Sequence, residues 1–128
     1  MTTRILIAED HPASLELMRY LLTASGYEVL TAADGEEALA VMRAERPDLL
    51  ICDLQMPKID GYEVLRQVRQ DPGLRHIPVI AVTAFSMVGD RERVLAAGFD
   101  DYQSKPIEPE NIISQMEQHL AVSLRVRR

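Results

Sequence analysis

Residues 49–53 read Leu-Leu-Ile-Cys-Asp, four apolar side chains in unbroken succession and then a carboxylate. A strand with one wet face alternates apolar and polar residues, whereas a strand covered by helices on both faces is apolar throughout. Two further stretches have the same form: Ile5 to Ala8, followed by Glu9-Asp10, and Val79 to Val82, followed by Thr83. The sheet is therefore expected to be parallel and central, with helices on both sides.

The segments between these runs change period. Behind Pro12, which suits a first helical turn, Leu15, Met18, Leu21 and Leu22 recur at helical spacing up to Gly26. The alternation continues with Glu28 to Ala32 as strand and Gly35 to Glu45 as helix, Ala38, Leu39 and Met42 facing inward. Asp48 to Asp53 follows as strand, and Gly61 to Gln70 as helix with Val64, Leu65 and Val68 inward. Ile77 to Val82 reads as a buried strand, Gly89 to Ala97 as a helix stopped by Gly98, Phe99 to Gln103 as a short strand, and Glu108 to about Leu120 as a last helix. Pro47, Pro57, Pro72, Pro78, Pro106 and Pro109 all fall at these boundaries. Five βα units joined by right-handed crossovers give a doubly wound α/β fold, the flavodoxin-like five-stranded parallel sheet of order 2-1-3-4-5 with five helices.

A chain of 128 residues, 47% hydrophobic and 27% charged, makes one domain. It is expected to occupy residues 1–121, with 122–128 as a basic tail carrying Arg125, Arg127 and Arg128, and with no output domain after the last helix. Only 5% aromatic residues and no Trp exclude a base-stacking platform. The net charge is -6, and the acid lies early: residues 1–64 carry 5 Lys/Arg against 12 Asp/Glu, residues 65–128 carry 9 against 8. Such a surface repels a phosphate backbone, so no nucleic-acid partner is expected, and it suits a cation or a basic partner. No apolar run approaches the roughly 20 residues that cross a bilayer, nor the apolar core of a signal peptide, so the expectation is a cytoplasmic protein with no membrane partner. Cys52 has no second cysteine to pair with, which fits a reducing compartment. It reads as a small buried side chain.

In open α/β sheets the ligand crevice lies outside the carboxyl ends of the strands, where the strand order reverses. The strand ends here carry Glu9-Asp10, Asp53 and Thr83, and Lys105-Pro106 follows the fifth strand. Three converging carboxylates repel unless neutralised. A hard divalent cation such as Mg²⁺, which takes carboxylate and phosphate oxygens and keeps waters, is the natural partner. Lys105 adds a mobile point charge and Thr83 a hydroxyl. A carboxylate, a cation, a lysine and a hydroxyl are what in-line phosphoryl transfer onto an Asp oxygen needs, which nominates Asp53 as the nucleophile. Asp34 and Asp60, each before a glycine, read as loop and turn residues, and Asp48 lacks convergent partners. His11 is expected on the rim of the pocket, and His76 and His119 on the surface.

Glu9-Asp10 after ILIA, Asp53 within LLICDLQMPKIDGYE, Thr83-Ala84 after PVIAV and Lys105-Pro106 within DDYQSKPI together resemble the receiver domain of two-component response regulators. The resemblance spans nearly the whole chain. It implies a signalling switch that catalyses only its own phosphorylation and dephosphorylation, with Asp53 phosphorylated by a histidine kinase or histidine phosphotransfer protein. Asp10, Asp53 and the main-chain carbonyl of Gln55 would bind Mg²⁺, with Glu9 acting through water. Thr83 would move toward the phosphoryl group, Tyr102 would rotate inward behind it, Lys105 would contact it, and the Lys105-Pro106 peptide would be cis. A downstream protein would read the face made by the fourth helix, fifth strand and fifth helix. By the same resemblance Gln55 and Phe85 occupy positions that in this family tune phosphoryl lifetime, and Phe85 and Met87 lie in a loop that a moving Thr83 would drag. The stretch from Val82 to Ile107 is also similar to stand-alone cell-cycle regulators and to receivers of hybrid kinases. Two rival readings are a haloacid-dehalogenase-type phosphatase, which carries a second Asp where Gln55 stands, and an inert receiver serving as a scaffold.

Overall fold

The structure is a computed structural model that describes residues 2–84 and 89–126. Phe85, Met87, Arg127 and Arg128 lie outside the described residues. Five strands, β1 (Arg4–Ala8), β2 (Glu28–Ala32), β3 (Leu49–Asp53), β4 (Val79–Thr83) and β5 (Asp101–Ser104), form one sheet in the order β2-β1-β3-β4-β5. Every pairing is parallel. Five helices connect or follow them: α1 (Pro12–Ala24), α2 (Gly35–Glu45), α3 (Gly61–Gln70), α4 (Asp90–Ala97) and α5 (Pro109–Gln118).

The unbroken apolar strands feed two cores. Leu6, Ala8, Leu50, Cys52, Val79 and Ala81 face one side of the sheet and pack under α2, α3 and α4 through Ala38, Leu39, Met42, Val64, Leu65, Val68 and Val94. Their neighbours Ile5, Ile7, Leu49, Ile51, Ile80 and Val82 face the other side and meet Met18 and Leu22 of α1 and Ile112 and Met116 of α5. The period of two splits each strand between the layers, and each fully buried Leu or Ile adds about 1.5–3 kcal/mol over an exposed one.

Helix ends follow sequence chemistry. Asp34 and Asp60 are N-caps, accepting the amides of Glu37 at 2.8 Å and Glu63 at 2.9 Å. His11 caps α1, its ring nitrogen facing the Ser14 amide at 3.4 Å, with Pro12 in the first turn. Several boundaries differ from the sequence reading. β4 starts at Val79 because the amide-less Pro78 precedes it. β5 starts at Asp101 and not Phe99, because Asp100 is occupied outside the ladder: its amide donates to Val79 O and its carboxylate accepts the Val79 amide at 2.7 Å. The same carboxylate accepts from Arg69, whose guanidinium also donates to the carbonyls of Arg75, Ile77 and Gly98. Arg69 thus ties the carboxyl ends of α3 and α4 to the start of β4.

Residues 122–126, which read as part of a solvated tail, lie against the domain. Val122–Leu124 is a 3-10 turn, Thr3 donates its hydroxyl to Leu124 O at 2.5 Å, and the Val126 amide donates to the Tyr27 hydroxyl at 3.2 Å. His119 is likewise no ordinary surface residue: it caps the carboxyl end of α5 and its Nε2 is 2.9 Å from Asp101 Oδ2. Among the described residues no helix is long and apolar enough to cross a membrane.

Candidate functional site

Parallel register aligns the strand ends. Ala8 pairs with Cys52, so Glu9 and Asp53 come next on adjacent strands, and Thr83 pairs with Ser104, immediately before Lys105. The Lys105 amide donates to Thr83 O at 2.8 Å, continuing the ladder one residue past β5. Residues 44 to 96 positions from Glu9 thereby reach one crevice, and the carboxylates of Glu9, Asp10 and Asp53 lie within 4.8 Å of one another.

Glu9 is fully enclosed, while Asp10 is exposed at the mouth. The ammonium of Lys105 stands 3.0 Å from Asp53 Oδ2 and 2.5 Å from Glu9 Oε1. Asp53 Oδ1 accepts the Gln55 amide at 3.0 Å, and Glu9 Oε2 accepts the His11 amide at 3.1 Å. Thr83 is buried, at the end of the strand between those carrying Asp53 and Lys105. The Lys105-Pro106 peptide is cis. These groups line a cleft of about 900 Å³ whose rim includes His11, Met56 and Arg93. Tyr102 already lies inward, packed in the α2–α4 core.

The electrostatics follow from burial. Loss of water around Glu9, with Asp53 beside it, pushes its carboxyl up to about 7 against the opposing pull of Lys105 and the His11 amide. Burial by itself would lower the Lys105 ammonium, but Glu9 and Asp53 outweigh it and hold the group above its ordinary value. Burial, with Asp53 nearby, raises the Cys52 thiol well above the ordinary range, which leaves it an inert core side chain.

The donor set fits a hard cation: three carboxylates, all oxygen, one open to solvent for entry. Cation binding needs ionised carboxylates. Between 4.5 and about 7 the folded chain keeps a proton on Glu9 that the unfolded chain has released, so this group's contribution to stability falls as pH rises through that window. The same proton competes with the cation. Mg²⁺ affinity measured by calorimetry is expected to be flat above pH 7 and to weaken below it, approaching about tenfold per pH unit, the one-proton limit. A flat profile down to pH 5.5 would show that Glu9 is not linked to the metal.

The response regulator receiver domain family matches residues 5–117. The chain belongs to this family. The polar-differentiation response regulator DivK of Brucella ovis is 44% identical over 120 residues, 94% of this chain and 98% of that protein, and DivK of Brucella anthropi matches equally. Among solved structures, a response regulator from Chloroflexus aurantiacus superposes with a TM-score of 0.88 at 35% identity, over 93% of this chain and 98% of the other. The receiver domain of a sensor histidine kinase from Pseudomonas aeruginosa, with a magnesium ion coordinated in its active-site cleft, gives 0.84 at 33% identity over 92% and 97%. The protein is a receiver: it accepts a phosphoryl group at an Asp-centred acidic cluster that suits Mg²⁺ and signals by binding partners. Its only catalysis is its own phosphorylation and dephosphorylation.

Sequence reasoning named Glu9, Asp10, Asp53, Thr83 and Lys105, which the fold brings to one crevice. It missed Arg93 at the rim and the partners of Asp101, although a carboxylate opening a short strand is itself a signal, since a buried charge demands partners.

Proposed function

We propose that Asp53 is the phosphoryl acceptor, supplied by a histidine kinase or histidine phosphotransfer protein. The observation that carries this is the convergence of Glu9, Asp10 and Asp53 within 4.8 Å, with Lys105 Nζ 3.0 Å from the Asp53 carboxylate. An Asp53 oxygen attacks phosphorus, the bond from phosphorus to the donor imidazole nitrogen breaks with its electron pair on nitrogen, and the acyl phosphate forms. Asp10, Asp53 and the Gln55 carbonyl would hold Mg²⁺, with Glu9 acting through water; the ion would supply positive charge against the charge on the phosphoryl oxygens. Lys105 pairs with one of those oxygens and Thr83 donates its hydroxyl to another. Reversal is hydrolysis, in which water replaces Asp53 on phosphorus.

The proposed kinase-docking surface is α1 with its neighbouring loops, supported by Leu17 and Tyr20, exposed apolar side chains three residues apart on that helix. The proposed output surface is the α4-β5-α5 face, with Thr83 and Tyr102 relaying the change. A phosphohistidine donor goes with a cytoplasmic setting.

Intact mass after incubation with acetyl phosphate tests the reading. One phosphoryl group is expected on the wild type with Mg²⁺, none with the metal chelated, and none on Asp53→Asn. No adduct on the wild type, repeated with a phosphohistidine donor and rapid quenching, would leave the scaffold reading.

A further inference from the structure

Asp101 is a carboxylate that the phosphoryl chemistry does not use. It opens the edge strand β5, yet it is only 7% exposed. Its Oδ2 meets His119 Nε2 at 2.9 Å, and its Oδ1 accepts Gln115 Nε2 at 2.7 Å and the Tyr102 amide at 2.8 Å. Arg91, in the first turn of α4, reaches the same Oδ1 at 3.6 Å. Gln115 also donates to Tyr102 O at 2.8 Å, while its own Oε1 is buried and accepts no hydrogen bond among the described residues. One carboxylate therefore touches α4, α5 and its own strand, and with Gln115 it holds the amide and the carbonyl of Tyr102.

A buried charge with this many partners resists displacement, because moving any one element leaves part of the charge uncompensated. Burial alone would raise the Asp101 carboxyl, but His119, the Tyr102 amide and Gln115 outweigh it and keep it below its ordinary value, so the anion is the resident form. Any shift of α4 or of Tyr102 has to break or stretch these contacts. The two ends of such a coupling are thermodynamically reciprocal: what holds the output face in place also opposes ligand binding at the Asp53 end.

We propose that Asp101 is a positioning residue, a latch that holds α4, β5 and α5 in the arrangement seen here and sets how readily the phosphorylation site drives them out of it. The inference rests on Asp53 and the α4-β5-α5 face acting as proposed above. It requires no knowledge of the partner, because the bias is readable at the acceptor site.

The test is calorimetric titration of the full chain with beryllium fluoride, a phosphoryl mimic, in saturating Mg²⁺, for wild type, Asp101→Asn, Gln115→Ala and Asp53→Asn. Asp101→Asn is expected to bind the mimic about fivefold more tightly than wild type, within the usual range of such couplings, with Gln115→Ala shifting the same way by less. A role confined to stability would lower the melting temperature and leave affinity unchanged or weaker. Unchanged or weaker affinity in folded Asp101→Asn therefore overturns the latch, and Gln115→Ala decides the matter in the same terms if Asp101→Asn does not fold. Wild type that fails to bind the mimic, or binds it no better than Asp53→Asn, overturns the acceptor assignment itself, a result distinct from failure of the latch.

Discussion

Lys105→Met is expected to lie below the wild type in urea at pH 5.5, because Asp53 loses its partner, and to fall further below it as the pH is raised past 7. The ammonium faces both Glu9 and Asp53. Without it, the enclosed Glu9 loses its main opposition to burial, and its carboxyl rises beyond about 7. Below that pH both proteins keep Glu9 protonated, and the gap is the constant one left by Asp53 without its ammonium. Above it the wild-type carboxyl ionises against Lys105, whereas the variant either retains the proton or bears an unpaired buried charge. The gap then opens by about 1.4 kcal/mol per pH unit, or about 2 kcal/mol at pH 8.5. Mg²⁺ replaces the missing charge, so its addition should stabilise the variant more than the wild type. It does not replace the ammonium at the phosphoryl group that Lys105 is proposed to contact, and loss of that preorganised donor is expected to lower the labelling rate by about 10²–10³. Denaturation at the two pH values with and without Mg²⁺, beside the rate of labelling by acetyl phosphate, checks all three effects. Wild-type stability at pH 8.5 without metal would remove Lys105 from the charge balance.

Gly35→Ala is expected to damage both stability and the metal site. Gly35 opens α2, and a Cβ there would lie 2.1 Å from Ile59 O and 2.8 Å from Ile59 C, both backbone atoms of the loop that follows Asp53. Neither can move without carrying residues 54–60 along. Lys58 adds a second tie across the same gap, with its ammonium 3.5 Å from Asp34 and 3.6 Å from Glu36. Overpacking of this kind costs about 1–3 kcal/mol, and here it displaces the loop carrying Gln55, so Mg²⁺ affinity should fall about tenfold as well. Gly89→Ala is the control. Its Cβ would meet nothing within 4 Å among the described residues, although a φ of +88° disfavours any side chain, so it should cost about 1–2 kcal/mol and leave Mg²⁺ affinity alone. Equal loss of Mg²⁺ affinity in both variants would show that Gly35 has no special hold on the loop.

The crevice could be read from the sequence because the information that builds it is local and repeated. Each apolar strand announces itself, and the residue just past it is the one that the parallel register delivers to the switch point, as with Glu9 after Ala8 and Thr83 after Val82. Helix starts at Gly35 and Gly61 were legible from the change of apolar period, but the caps were not: Asp34 and Asp60 read as loop and turn residues, and each is an N-cap. The Asp101 cluster was not legible. Its partners come from positions 91, 115 and 119, on two helices, and a histidine near a helix end gives no local sign of whether it faces water or a carboxylate. The same holds for Arg69, whose four acceptors lie 6 to 31 residues away. The close approach at Gly35 was equally hidden, since the glycine fits a turn as well as a contact.

Arg69 has one more implication. It grips α4 at Gly98 O, the carboxyl end of that helix, whereas the amino end begins at Gly89, a residue with no side chain to cap it. The amino end is held by a longer contact, Arg91 to Asp101 Oδ1 at 3.6 Å. With eight residues and a rise of 1.5 Å each, α4 is a lever arm of about 12 Å, so a rotation of only 10° about the Gly98 end sweeps the amino end through about 2 Å. The Arg91 contact therefore sits where the travel is greatest, and the helix is a lever whose fulcrum is a guanidinium at the opposite pole of the domain.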